Sequence, residues 1–233
     1  MNDVKYIFAP GHVTEARALV AAYHYSHREK SCPLAVGVLQ CYSRTIPPTT
    51  VAACVFTPSM GKWSVPVAEL QRLVRHPDYT PPLTMLISRT VKELRKRPDC
   101  PAVAVSYADS TQGHHGGVYQ AASWTYSCQR AASNDGLVVN GEFVPGRSCN
   151  AKWGTRSADK LRIEHPDWTV EIHWDLGKHL YWIPLTKDGK RIAAELGLEK
   201  NPYPKPNPAS EVTPATRQPS QVGEGGSAPT LTL

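Results

Sequence analysis

Apolar positions along this chain change period several times, and each change predicts an element. Tyr6-Ile-Phe is a short β-like run, ended by Pro10-Gly11. From Thr14, a residue able to cap a helix, the residues Ala16, Leu19, Val20 and Tyr23 recur on one helical face. Leu34 to Tyr42 and Val51 to Phe56 are two apolar runs joined through Pro47-Pro48, which predicts an antiparallel hairpin. Val67 to Val74 reads as another strand, with Glu69, Gln71 and Arg72 inside it. Polar groups there need partners or a cleft, unless the strand is an edge with one wet face. Thr80 as cap and Pro81 at the first helical position then predict a helix. Its apolar residues Leu83, Leu86, Ile87, Val91 and Leu94 give the strongest helical period of the chain, and Pro98 stops it.

The segment Pro101 to Trp124 holds the densest chemistry. Ala102 to Val105 fits a buried strand, and it runs out into Ser106, Tyr107 and Asp109. A polar loop follows, with His114 and His115 between Gly113 and Gly116-Gly117, and Val118 to Trp124 reads as a short helix. Polar side chains at the carboxyl end of a central strand are where open α/β sheets place a site. The alternative is a strand–turn–helix in which Asp109 only caps.

Thr125 to Gln129 is a further strand, and His179 to Leu185 the last. Between them Ser133 to Thr155 is rich in Asn and Gly and reads as irregular surface chain. Arg147, Lys152 and Arg156 lie there among Phe143 and Trp153, a mixture that could also contact a nucleic-acid backbone and stack on bases. A short element spans Lys160 to Trp168.

From about Asn201 the composition shifts. Seven of the 21 prolines fall in the last 33 residues, with Gly, Ser, Thr and Gln and almost no aromatics. Such a stretch cannot bury enough surface to offset its ordering entropy, so a single folded domain over 1–200 and a disordered tail over 201–233 are expected.

Charge and cysteine usage narrow the picture a little. The net charge of +6 favours polyanionic partners. The six cysteines include no C-x-x-C pair, so no structural zinc is expected and the thiols read as reduced. No apolar run reaches a membrane span, and the acid at Asp3 with the short apolar run after it does not suit a signal peptide. His24-Tyr25-Ser26-His27-Arg28 is a run of hydrogen-bonding groups at a helix end, either solvated or functional. His76-Pro-Asp78 and His165-Pro-Asp167 have the spacing of a two-His, one-carboxylate iron site, and equally that of a plain turn.

The element order resembles the GNAT fold of acyl-CoA-dependent N-acetyltransferases, an α+β fold whose mostly antiparallel central sheet is flanked by helices. Four stretches in order sharpen the resemblance: His24-Tyr25-Ser26, Glu69-Leu-Gln-Arg-Leu, Ser106-Tyr-Ala-Asp109 with Gly-His-His-Gly-Gly-Val-Tyr-Gln-Ala-Ala-Ser-Trp, and Lys178-His-Leu-Tyr. Together they look like the Mom proteins of Mu-like bacteriophages, over roughly residues 5 to 185. That resemblance implies a GNAT-like enzyme that converts adenine N6 in phage DNA to a carbamoylmethyl (methylcarbamoyl) form. The modification would shield the DNA from host restriction, in the cytoplasm of the infected bacterium.

On the same resemblance, Asp109, Tyr25, His24 and Tyr119 are the expected catalytic residues. Asp109 would be the base and Tyr119 the acid, with His24 or His115 as other bases. Substrate contacts fall on Tyr107, Ser106, Glu69, Arg72, Ser26, His115 and Trp124, with Tyr107, Tyr25 or Trp124 able to stack on a flipped adenine. Arg28, Arg147, Lys152, Arg156, Lys178 and His179 are expected to face double-stranded DNA. Acetyl-CoA or another activated donor is implied, its pyrophosphate at the helix opening at Pro81, near Arg75 and Thr80. The chain departs from the glycine-rich pyrophosphate loop of GNAT enzymes there, because Arg75-His-Pro-Asp-Tyr-Thr-Pro-Pro has no glycine and carries Asp78. Two other readings stand beside this one: an ordinary acetyltransferase acting on a protein or small amine, and a non-catalytic DNA-binding module.

Overall fold

A computed structural model describes residues 5–27, 32–43, 47–59, 63 and 66–205. In chain order its elements are β1 (Lys5–Pro10), α1 (Val13–Tyr23), β2 (Ala35–Tyr42), β3 (Thr49–Pro58), β4 (Val67–Arg75), α2 (Leu83–Arg95), β5 (Val103–Asp109) and a 3-10 turn (Ser110–Gln112). There follow α3 (Gly117–Ala121), β6 (Thr125–Arg130), β7 (Asn134–Val139), β8 (Glu142–Pro145), α4 (Gly146–Trp153), α5 (Ala158–Glu164), β9 (Val170–Trp174), β10 (Lys178–Pro184) and α6 (Gly189–Glu195).

Seven strands form the main sheet, in the order β1-β2-β3-β4-β5-β10-β6. Every pairing in it is antiparallel except β4 with β5, whose parallel register requires the crossover that α2 supplies. Alternation along the strands assigns the faces. Ala104 packs with α2 through Leu86, Ile87, Val91 and Leu94, whereas its neighbours Val103 and Val105 pack with Ala193 of α6. On β3, Cys54 and Phe56 face α2, and Ala53 and Val55 meet Ala16, Leu19 and Val20 of α1. So α1 and α6 share one face, and α2 with α3 cover the other. This is a mostly antiparallel central sheet flanked by helices, as the element order led one to expect.

Several expectations change in detail. β4 is an interior strand, so its polar residues need a cleft or partners rather than an edge. The helix expected from Thr80 begins at Leu83; its cap is Pro82, which leaves no side-chain cap, and both Thr80 and Pro81 lie outside it. Thr14 likewise sits inside α1, behind the cap His12.

The stretch read as irregular, Ser133 to Thr155, holds β7, β8 and α4. With β9 and α5 it makes a small unit inserted between β6 and β10. Its own core joins Leu137, Val139, Val144, Cys149, Leu161 and Val170.

The packed chain also runs past Asn201. The Asn201 N–H donates to the Tyr126 carbonyl at 2.9 Å, and the Tyr203 hydroxyl donates to the Trp124 carbonyl at 2.8 Å. Among the described residues no helix is long and apolar enough to cross a membrane.

Candidate active site

The site begins where two parallel strands part. β4 and β5 pair only from Val67 with Val103 to Leu70 with Ser106, yet β4 continues to Arg75 and β5 to Asp109. Two local devices shape the opening. Ser106 Oγ donates to the Leu70 carbonyl at 3.0 Å, which satisfies the last carbonyl before the gap. In the β3–β4 ladder, Phe56 stands opposite Leu70 and Val55 opposite Arg72, so Gln71 is an inserted residue. Such a bulge re-aims the side chains after it. Leu70 joins the α2 core, while Arg72 lines a cavity beneath α1 with Val20 and Val55.

His24 follows α1 and is buried. Its Nδ1 accepts from the Ser26 N–H at 3.2 Å and lies 2.9 Å from Ser26 Oγ. These contacts assign the neutral ring's proton to Nε2. Burial, helped by the Arg72, His114 and His27 charges, pushes His24 down to about 4. The ring is therefore neutral at pH 7, and Nδ1 is already engaged. A pH effect follows. The unfolded chain protonates this His below about 6.5. The folded chain resists until about 4. Acidification through that window should cost about 3 kcal/mol, and the loss should disappear in His24→Gln when thermal unfolding is followed against pH.

Tyr25 stacks on His24 at 4.4 Å between ring centroids and meets the edge of His114 at 6.3 Å. Its ring is 48% exposed. Desolvation around the hydroxyl, with the Asp109 charge, raises its phenol. Asp109 Oδ1 accepts from the Thr111 N–H at 3.0 Å, and Lys178 Nζ lies 3.8 Å from Oδ2. Thus Asp109 does cap the 3-10 turn, and it also faces Tyr25 and His114.

Tyr119 comes from the other face of the sheet. Ser106 and, farther off, Tyr25 are among the groups that act on its phenol. Burial pushes it up to about 12, which makes it a proton donor rather than a base. Glu69 and Tyr107 line the same valley farther along: Glu69 Oε2 accepts from Ser59 Oγ at 3.2 Å, and Tyr107 bonds Trp63.

Thus His24, Tyr25, Ser26, Arg72, Asp109 and His114 lie together at this opening, with Ser106 and Tyr119 beside it, while Glu69 and Tyr107 stand farther along β4 and β5. Other expected residues sit elsewhere. Trp124 is fully buried against Phe56 and Tyr119, so no face of its ring is left for a base. His115 contributes its carbonyl, which accepts from the Tyr181 hydroxyl at 2.6 Å. Lys178 lies between Asp109 and Asp175, at 3.8 and 3.6 Å from their carboxylates. His179 bonds the Tyr126 hydroxyl at 3.2 Å, on the α2 side of the sheet. Arg75 and Thr80 are exposed beside α2. Arg147, Lys152 and Arg156 are exposed on and after α4, and Arg28 lies outside the described residues.

No three His, Cys, Asp or Glu side chains gather into a metal site among the described residues. His76 packs with Tyr23 and Tyr79, whereas His165 stacks on Trp168 in the inserted unit, so the two His-x-Asp turns do not meet.

Polar atoms that lack partners mark the opening too. Among the described residues Gln71 Oε1, Ser110 Oγ and Arg130 Nε are buried without a hydrogen bond, along with the more distant Arg97 Nε. Arg130 and Asp109 both stand opposite Lys178 in the register of β10, and Ser110 follows Asp109. Gln71 was visible in the sequence only as a polar residue in an apolar strand; its bulge depends on register with β3.

Comparison with known proteins follows from this geometry. The family model of the Mom protein family matches residues 5–205. The chain belongs to the Mom protein family. No curated protein sequence matches it significantly. Solved structures similar to this Mom-family chain include the ribosomal-protein-S18-alanine N-acetyltransferase of Escherichia coli, at 12% identity over 78% of this chain and 95% of that one, TM-score 0.43. NAA60 of Arabidopsis thaliana in complex with acetyl-CoA matches at 10% identity over 77% of this chain and 99% of that one, TM-score 0.43. The NatC complex bound to a Gag peptide and CoA matches at 8% identity over 78% and 99%, TM-score 0.45.

Proposed function

We propose that this chain is a transferase that modifies the exocyclic N6 of adenine in DNA, adding a carbamoylmethyl-type group that blocks restriction enzymes. The observation that carries the reading is the Mom family match over residues 5–205. The opening between β4 and β5 supports it, because it joins a carboxylate, a firmly protonated phenol and an accessible aromatic ring.

Adenine N6 is a weak nucleophile buried in the duplex, so the base must leave the stack. Tyr25, half exposed and backed by His24, offers the ring on which it stacks. N6 attacks the donor's methylene carbon; as the N6–carbon bond forms, the bond from that carbon to the leaving group breaks, N6 loses a proton, and Asp109 accepts it. Tyr119, whose buried phenol stays protonated, acts as the acid by hydrogen-bonding the departing group, which leaves with the electron pair of the broken bond. Neutral His24 backs the Tyr25 ring by stacking on it.

An acyl-CoA-type donor fits α2 in part. The opening turn of α2 contains no acidic residue and no side-chain cap, so its backbone N–H groups remain available to an anion. The preceding Pro81 and Pro82 add no donors. Acyl transfer would join N6 to a carbonyl carbon and supplies no amide nitrogen, so a carbamoylmethyl product needs a donor that already carries the amide and is attacked at its methylene carbon.

Plasmid DNA from bacteria expressing the chain should resist restriction enzymes whose sites contain adenine. Enzymes with G·C-only sites should still cut. Equal cutting by both classes would oppose the reading.

A further inference from the structure

A second feature lies against the site and is not used by the chemistry above. The turn between β9 and β10 exposes Trp174 (58%) and Leu176 (65%) on either side of Asp175, which is only 3% exposed. With Asp175 pointing inward, its two neighbours project outward.

The turn is pinned from several directions. Asp175 Oδ1 accepts from the N–H groups of Ser133 at 2.8 Å and Gly177 at 3.0 Å, and Oδ2 accepts from Ser133 Oγ at 3.2 Å. The Leu176 N–H donates to Thr111 Oγ1 at 2.9 Å, and the Leu176 carbonyl accepts from Gln129 Nε2 at 3.3 Å. Thr111 also donates its N–H to Asp109, so the turn is one residue from the site's carboxylate. Two large apolar side chains held rigidly in water beside a polar cleft call for a partner.

Charge indicates which. Trp174 stands opposite Asn134 in the β7–β9 register, and the Arg156 guanidinium donates to the Asn134 carbonyl at 3.2 Å. Residues 146–156, which end in Arg156, carry Arg147, Lys152 and Arg156 and no acid. An apolar pair with an exposed guanidinium, Arg156, beside it matches a nucleic-acid duplex, whose stacked bases are apolar and whose backbone is anionic.

We propose that Trp174 and Leu176 form a wedge that enters the DNA stack beside the target adenine and holds it extruded, with Arg156 on the flanking phosphate. This deepens the adenine-modification reading and rests on it.

The test uses the full chain and a set of duplexes in which 2-aminopurine replaces adenine at successive positions, since this base fluoresces when unstacked. Wild-type protein should raise fluorescence at one or more positions. Trp174→Ala with Leu176→Ala should keep the wild-type thermal midpoint, because both side chains are exposed. It should bind intact duplex roughly tenfold or more weakly, and give no fluorescence rise at saturation. Its affinity for a duplex with an unpaired adenine should stay within about twofold of wild type, since that base needs no wedge. Trp174→Phe should restore the rise. A double variant that unstacks the base like wild type would overturn the wedge and leave the adenine reading standing. Wild-type protein that neither binds DNA nor unstacks any position would overturn both.

Discussion

Asp109→Asn should leave a folded chain whose adenine modification falls at least about a hundredfold, the scale set by losing a positioned general base. The substitution is close to isosteric. The Asn Oδ1 keeps the bond from the Thr111 N–H, and Lys178 keeps Asp175 as its partner at 3.6 Å. What disappears is the oxygen that takes the proton from N6. Thermal unfolding of the variant should remain within about 1 kcal/mol of wild type, because the lost Lys178 contact is long and half exposed. Restriction protection, scored on plasmid from cells with matched protein levels, reads the loss. Full protection with Asp109→Asn would remove the carboxylate from the mechanism. Tyr119→Phe should do less, since solvent can protonate a leaving group slowly.

The second large effect lies in the loop behind the site. Gly116→Ala should destabilise the fold by about 3 kcal/mol or more. Gly116 has φ +86°, in the left-handed region where a side chain costs about 1 kcal/mol. A Cβ there would also overlap the Tyr181 ring, and relieving such overpacking costs about 1–3 kcal/mol. Tyr181 is fully buried and bonds the His115 carbonyl and Gln120, so it has no free space to enter. The strain therefore passes to the loop that carries His114. Denaturant unfolding should show the loss. A midpoint unchanged from wild type would mean that the His114–Gly116 loop is looser than this packing implies.

The legible and illegible parts of the chain divide along physical lines. Strong periods were readable: Leu86, Ile87, Val91 and Leu94 on α2, and the paired runs of β2 and β3, are local patterns that burial enforces. The site was readable as polar residues at the ends of apolar runs. His24 follows α1, Asp109 ends β5, and Ser106 is the last residue of β5 paired with β4, so the fold brings these points to one opening.

What escaped reading depends on partners distant in sequence. The bulge at Gln71 exists only in register with Val55 and Phe56. The pairing of Lys178 with Asp109 was not readable either, because the two approach only once β10 lies beside β5. Trp124 and Trp174 are both tryptophans near polar loops; one is sealed behind Phe56 and the other is open, and no local pattern separates them. The inserted unit was missed because β8 has four residues and β9 five. Strands that short, partly exposed, carry too little alternation to stand out from loop.

Mass spectrometry of nucleosides tests the central claim most directly. DNA from bacteria expressing the wild-type chain should contain a new, heavier deoxyadenosine. It should be absent from cells expressing Asp109→Asn at the same level, and the mass increment should equal one carbamoylmethyl group in place of an N6 hydrogen. An increment equal to an acetyl group would retain DNA modification and replace the proposed donor chemistry. Unmodified deoxyadenosine alongside abundant folded wild-type protein would contradict the account.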